Sequence, residues 1–176
     1  MTMAAIEPSP SIWLLDHEAP GPEARAAAQA RPASRSIPSQ WLTDLWADAS
    51  STARQARWQA FADEAGDHAA EKGFTEADRM FLFTRAFTAE GSPASSAAAT
   101  FALGRIGEDR PDERRDIAHC LVFVLQHSHP RLRLAATEAI WQARAVETLP
   151  LVHEALSREA DPSVRATMEH VLRVLR

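Results

Sequence analysis

Three prolines constrain this chain more than any other feature. Pro93, Pro130 and Pro162 lie 37 and 32 residues apart, and each opens a stretch of similar pattern. Ser92-Pro93 leads into Ser96 to Leu103, His129-Pro130 into Arg133 to Ile140, and Asp161-Pro162 into Arg165 to Leu172. Recurrence at such spacing is the mark of stacked helix pairs. Proline is tolerated in a first helical turn, where its missing N–H has no partner to lose. Ser92 and Asp161 are good N-caps, and His129 is a weaker one. Ala98, Ala135 and Ala139 let a neighbouring helix come close, while Leu103, Ile140 and Leu172 put bulk on the same stripe. Between these helices, Ile117, Cys120, Leu121 and Val124 recur at helical spacing, as do Leu149, Val152 and Leu156. A single pair cannot bury its own apolar face, so neighbours must stack into one core.

Three segments carry a family resemblance. Asp161-Pro162-Ser163-Val164-Arg165 fits a D-x-x-V-R start, Ala102-Leu103-Gly104-Arg105-Ile106-Gly107 fits an A-L-G-x-I-G ending, and His129-Pro130-Arg131-Leu132-Arg133 is a looser match. The pattern resembles HEAT-like repeats of the short bilin-lyase type. Trp141 stands where that family usually has Gly, and Ser96 where it usually has Arg. The resemblance implies an all-α fold, a short right-handed α-α superhelix (HEAT-like solenoid) of about three to four helix pairs. It says little about function, because such repeats serve many roles.

Strand-like alternation is absent, and the 176 residues suit one domain able to bury a sizeable core. The single cysteine, Cys120, lies in an apolar helical run and reads as a buried thiol. No signal peptide or membrane-length apolar run is visible, so the expectation is a soluble cytoplasmic protein. One lysine among 19 basic residues, with abundant alanine, suggests a bacterial, GC-rich source. The net charge of −5 is uneven: residues 1–100 hold 8 basic and 13 acidic residues, and residues 101–176 hold 11 of each.

Residues 1–37 form a Pro/Ala-rich segment expected to be largely extended or disordered. Within it Ile12-Trp13-Leu14-Leu15 either packs back onto the helices or anchors a partner. The solenoid is expected over 38–176, with its clearest repeats at 92–176. Helices are predicted at about 39–49, 51–65, 75–91, 111–127 and 162–175, with two clear units over 92–127 and 129–159. Thr75 and Asp78 make an approximate capping box.

Sites were sought by chemistry. His119, Cys120, His127 and His129 are close in sequence but badly spaced for zinc, and no metal site is expected. One His153-Glu154 pair in the repeats cannot build a di-iron site. No nucleophile–histidine arrangement or phosphate-binding glycine loop is readable, so no catalytic residue and no cofactor is assigned. The neutral repeats and acidic N-terminal half argue against nucleic acid as the partner. What remains is a protein-binding surface. Trp141 aligns with Gly104 and Arg173, a variable position that suggests an exposed anchor or a filler against the next helix. Second helices that line a concave face would contribute His119, Val122, Gln126, Glu154 and Arg158. The acidic N-terminal helices offer Trp41 and Trp58 with Asp44 and Asp48, suited to a basic partner.

The sequence is thus read as a non-enzymatic protein-interaction module, with an acidic inhibitor or immunity-type protein as its sharper form. The alternatives are a nucleic-acid-binding or base-excising HEAT-like protein, and a cofactor handler like the bilin lyases. A homodimer through Val164, Met168, Val171, Leu172 and Leu175 of the C-terminal helix is also open, as is the use of those residues to cover the preceding pair.

Overall fold

The prolines open helices as expected. A computed structural model describes residues 37–51, 55–88 and 92–175. Among them the order is α1 (Gln40–Ser51), α2 (Gln55–Lys72), α3 (Glu76–Thr88), α4 (Pro93–Asp109), α5 (Arg114–Val124), α6 (Pro130–Gln142), a 3-10 turn (Val146–Thr148), α7 (Leu149–Arg158) and α8 (Pro162–Val174). No strand occurs among the described residues. The expectations for residues 1–36, including Ile12-Trp13-Leu14-Leu15, lie outside them.

Each proline-opened helix is capped by the residue before its proline. Ser92 Oγ accepts from Ser95 N–H at 3.2 Å, His129 Nδ1 from Arg131 N–H at 3.2 Å, and Asp161 Oδ1 from Ser163 and Val164 N–H at 2.9 and 3.1 Å. These bonds satisfy donors that a helix start leaves without partners. The capping box of α3 also forms. Thr75 N–H donates to Asp78 Oδ2 at 2.9 Å, and Asp78 N–H donates to Thr75 Oγ1 at 3.2 Å. Asp78 does more than the box requires. It is fully buried, and it also accepts from the N–H and hydroxyl of Ser39, at 2.6 and 2.7 Å. One carboxylate therefore fastens the start of α1 to the start of α3.

The helices pack as two rows. In one, α2 contacts α4, α4 contacts α6, and α6 contacts α8; in the other, α3 contacts α5, which reaches the 3-10 turn before α7. The core lies between the rows and includes Phe61, Leu82, Leu103, Ile117, Leu121, Leu132, Ile140 and Met168. The apolar α5 is buried along Ile117, Ala118, Cys120, Leu121 and Val124.

Gly104 sets the spacing of α4 and α6. A Cβ there would lie 2.8 Å from both Cα and Cβ of Ala139, so the helices meet closer than any side chain allows.

Three expectations change. Helix α2 runs to Lys72, not to about 65, with Gly66 inside it against the side chain of Arg105. Trp58 is a core residue, 6 % exposed, and not a surface anchor. It packs with Trp46 and Phe61 at ring separations of 5.0 and 6.2 Å, and Arg85 lies over the Trp46 ring at 5.6 Å. In α8, Val164, Met168, Val171 and Leu172 are buried within the chain, so a dimer made through them would require them to leave this core.

Candidate partner-binding groove

The repeat continues outward from the core. Eight residues after their prolines, α4, α6 and α8 carry Phe101, Glu138 and His170, and all three line one open groove of about 970 Å³. Eleven residues after the prolines come Gly104, Trp141 and Arg173. The indole of Trp141 lies in the groove with Val171 and Val174 of α8. Where Gly104 lets α6 close on α4, the equivalent tryptophan lines the groove beside α8. Half of Trp141 remains exposed, and so does 46 % of Val174.

A second depression of about 280 Å³ continues along α6 toward its start. Arg131, Leu134 and Ala135 line it, with Ala94 and Ala97 of α4 opposite and Trp58 at its base. Phe101 and Glu138 belong to both depressions, so the two meet at that pair. Residues 131, 134, 138 and 141 follow the spacing of one helical face, and the trough runs along it.

The charges of the trough differ in how they are held. Glu108 takes an ion pair from Arg105 at 3.2 Å and accepts from Gln142 Nε2 at 3.4 Å. His170 Nδ1 lies 3.4 Å from Arg173 Nη2. Glu138 has no hydrogen bond or ion pair among the described residues. Although the residue as a whole is exposed, the trough walls strip water from its carboxylate, and this loss of solvation raises its pKa above the ordinary value. Arg144 holds an unusual backbone. Its N–H donates to Trp141 O at 3.0 Å and that of Ala145 to Ile140 O at 3.1 Å, the paired bonds of a Schellman helix end. Arg144 therefore occupies the left-handed position, φ 54°, where glycine is the usual residue.

The remaining sequence candidates lie elsewhere. His119 and Gln126 are exposed and Val122 is half-buried, on or just after α5. On α7 half-buried Glu154 pairs with exposed Arg158 at 2.6 Å. None of these five lines the trough. Trp41 is half-buried against His68, ring centroids 5.6 Å apart, and its Nε1 has no hydrogen-bond partner among the described residues. Asp44 accepts from Gln40 and Asp48 pairs with Arg57 at 3.1 Å. The structure thus brings only Trp141, with Trp58 beneath, to the same surface.

Phe101, Glu138, His170 and Val174 were missed by sequence reasoning. The signal was present: the first three of these positions recur with the prolines, and aligning the exposed register as well as the apolar one would have found them. A separate apolar patch was also missed. Phe83 stacks on Phe87 at 5.8 Å and meets Phe123 of α5 at 5.9 Å, with Met80, Phe87 and Phe123 substantially exposed.

Among the described residues no three His, Cys, Asp or Glu side chains converge as metal ligands, and no helix is long and apolar enough to cross a membrane. His127 Nδ1 accepts from His129 N–H at 3.0 Å, so both histidines serve the loop before α6. Cys120 is buried, and loss of water pushes its thiol up to about 11. A scan of protein-family models, a search of curated proteins and a search of solved structures give no match to this chain.

Proposed function

We propose that this chain is a HEAT-like solenoid that acts as a non-enzymatic protein-binding module, with the α4–α6–α8 trough as its docking face. One observation carries the reading: Trp141 is half exposed at the mouth of a groove, in a register position where the preceding unit has glycine. A large aromatic partly covered by its own chain and surrounded by a shaped depression suits the anchor of a protein interface. The repeat spacing and the row of proline-opened helices support the solenoid part. A finer reading, an acidic inhibitor or immunity-type binder of a basic partner, rests on the acid excess in residues 1–100.

The test is affinity capture from the native host with the intact protein, a Trp141→Ala variant and a control variant, Val146→Ala, exposed outside the trough. A protein retained by the parent and the control but lost with Trp141→Ala supports the proposal. Turnover of a small molecule by the pure protein, or salt-sensitive binding to duplex DNA at this surface, overturns it.

A further inference from the structure

The geometry points to a specific feature of the partner: a lysine or arginine side chain that enters the trough between Phe101 and Trp141 and pairs with Glu138. This rests on the protein-binding reading above and adds the chemistry of the contact. Three observations converge on Glu138. It sits where the two depressions meet. Its carboxylate has no hydrogen bond or ion pair among the described residues, whereas the neighbouring Glu108 is held by Arg105. It is bracketed by an aromatic ring on the adjacent helix and another one turn along its own.

A carboxylate that stands without a partner in a depression is complementary to a cation. Phe101 and Trp141, which line the same trough, offer rings that attract the same cation. The flanking charges refine the match. Arg131 and Arg144 line the trough on either side of Glu138 in the sequence, Arg131 roughly 10 Å away along the axis of α6 at the usual helical rise and Arg144 just past the end of that helix. With Glu108 already paired to Arg105, the remaining sign alternates positive, negative, positive through Arg131, Glu138 and Arg144. A segment with a central cation and an acid on either side is complementary to it, and a uniformly basic segment is not. This distinguishes recognition here from general attraction to an acidic protein.

The test uses the full chain labelled for NMR. Acetyl-arginine-amide and acetyl-lysine-amide are titrated, with acetyl-glutamine-amide as control, while the Trp141 indole N–H and the amides of residues 101, 138 and 170 are followed. The expected result is saturable shifts at those positions with the two cationic amides and not with the control. Glu138→Gln should weaken that binding roughly fivefold or more, with thermal melting unchanged or raised. Equal shifts in Glu138→Gln, equal shifts with the neutral amide, or no shifts in the trough at all would overturn the inference. A partner protein that needs Trp141 but binds Glu138→Gln as well as the parent would also overturn it, while leaving the proposed function standing.

Discussion

Arg133 and Glu138 lie on the same helix and show opposite electrostatic logic. Arg133 donates through Nε and Nη2 to both oxygens of Glu159, each at 2.7 Å, and through Nη1 to the carbonyls of His127 and Ser128 at 2.9 and 2.8 Å. The Glu159 side chain is 2 % exposed. Removing the arginine strands a buried carboxylate, so Arg133→Ala should lose about 3 kcal/mol of stability in urea denaturation. The pH dependence follows from the direction of each shift. The Arg133 bond holds Glu159 below the ordinary Glu range, so the pair contributes fully above that range and is lost as pH falls through the lowered value. The advantage of the parent over Arg133→Ala should therefore shrink in acid. Glu138 runs the other way. Its raised pKa means no cost while it is protonated, and a cost that develops as pH rises through that value. Glu138→Gln should match the parent in acid and exceed it in stability at neutral pH, with Arg131, Arg144, His170 and the paired Glu108 lining the same trough. Arg133 recurs in the repeat pattern as Arg165, which likewise reaches backbone carbonyls, those of Leu156 and Glu159. The Glu159 partner of Arg133 was not legible in the sequence, because nothing local marks a glutamate 26 residues away as buried.

At the scale of the helix, starts were more legible than ends. Caps and prolines act within three residues, so α4, α6 and α8 begin where the sequence places them. Ends depend on distant packing. The sequence pattern ends α2 near residue 65, yet the helix continues through Gly66, whose missing side chain leaves room for Arg105. Gly104 gives the clearest test of helix spacing. An alanine in mid-helix gains up to about 1 kcal/mol in propensity. Here its Cβ would meet backbone atoms of Ala139 at 2.8 and 3.0 Å, and overpacking of that kind costs about 2 kcal/mol or more. Gly104→Ala should thus lower the melting temperature, whereas a freely exposed glycine would show a gain.

For the molecule as a whole, stability should follow the rows. Helix α4 packs against α2, α3, α5 and α6, while α1 packs mainly against α2 and is tied down by Asp78. Native-state hydrogen exchange should accordingly find the slowest amides in α4 and faster ones in α1. Equal protection in both would mean that the described helices open only together. The all-helical class was visible in the sequence because it rests on periodicity. The trough was only partly visible. Trp141 stood out against Gly104, but the sequence could not show which row of helices carries the open face. Tertiary packing decides that, and it placed the groove on the proline-opened helices and not on the second ones. The same packing took Trp58 inward, where Trp46 and Phe61 give its ring an apolar setting.

The exchange of glycine for tryptophan at one register position also has a design meaning. Residue size there matters: glycine lets two neighbouring helices touch, and tryptophan at the next such position lines an open groove. A chain built this way can acquire a slot, lose it or move it to another joint through one codon, with every helix left intact. The groove is then separable from the scaffold, and the two can change independently.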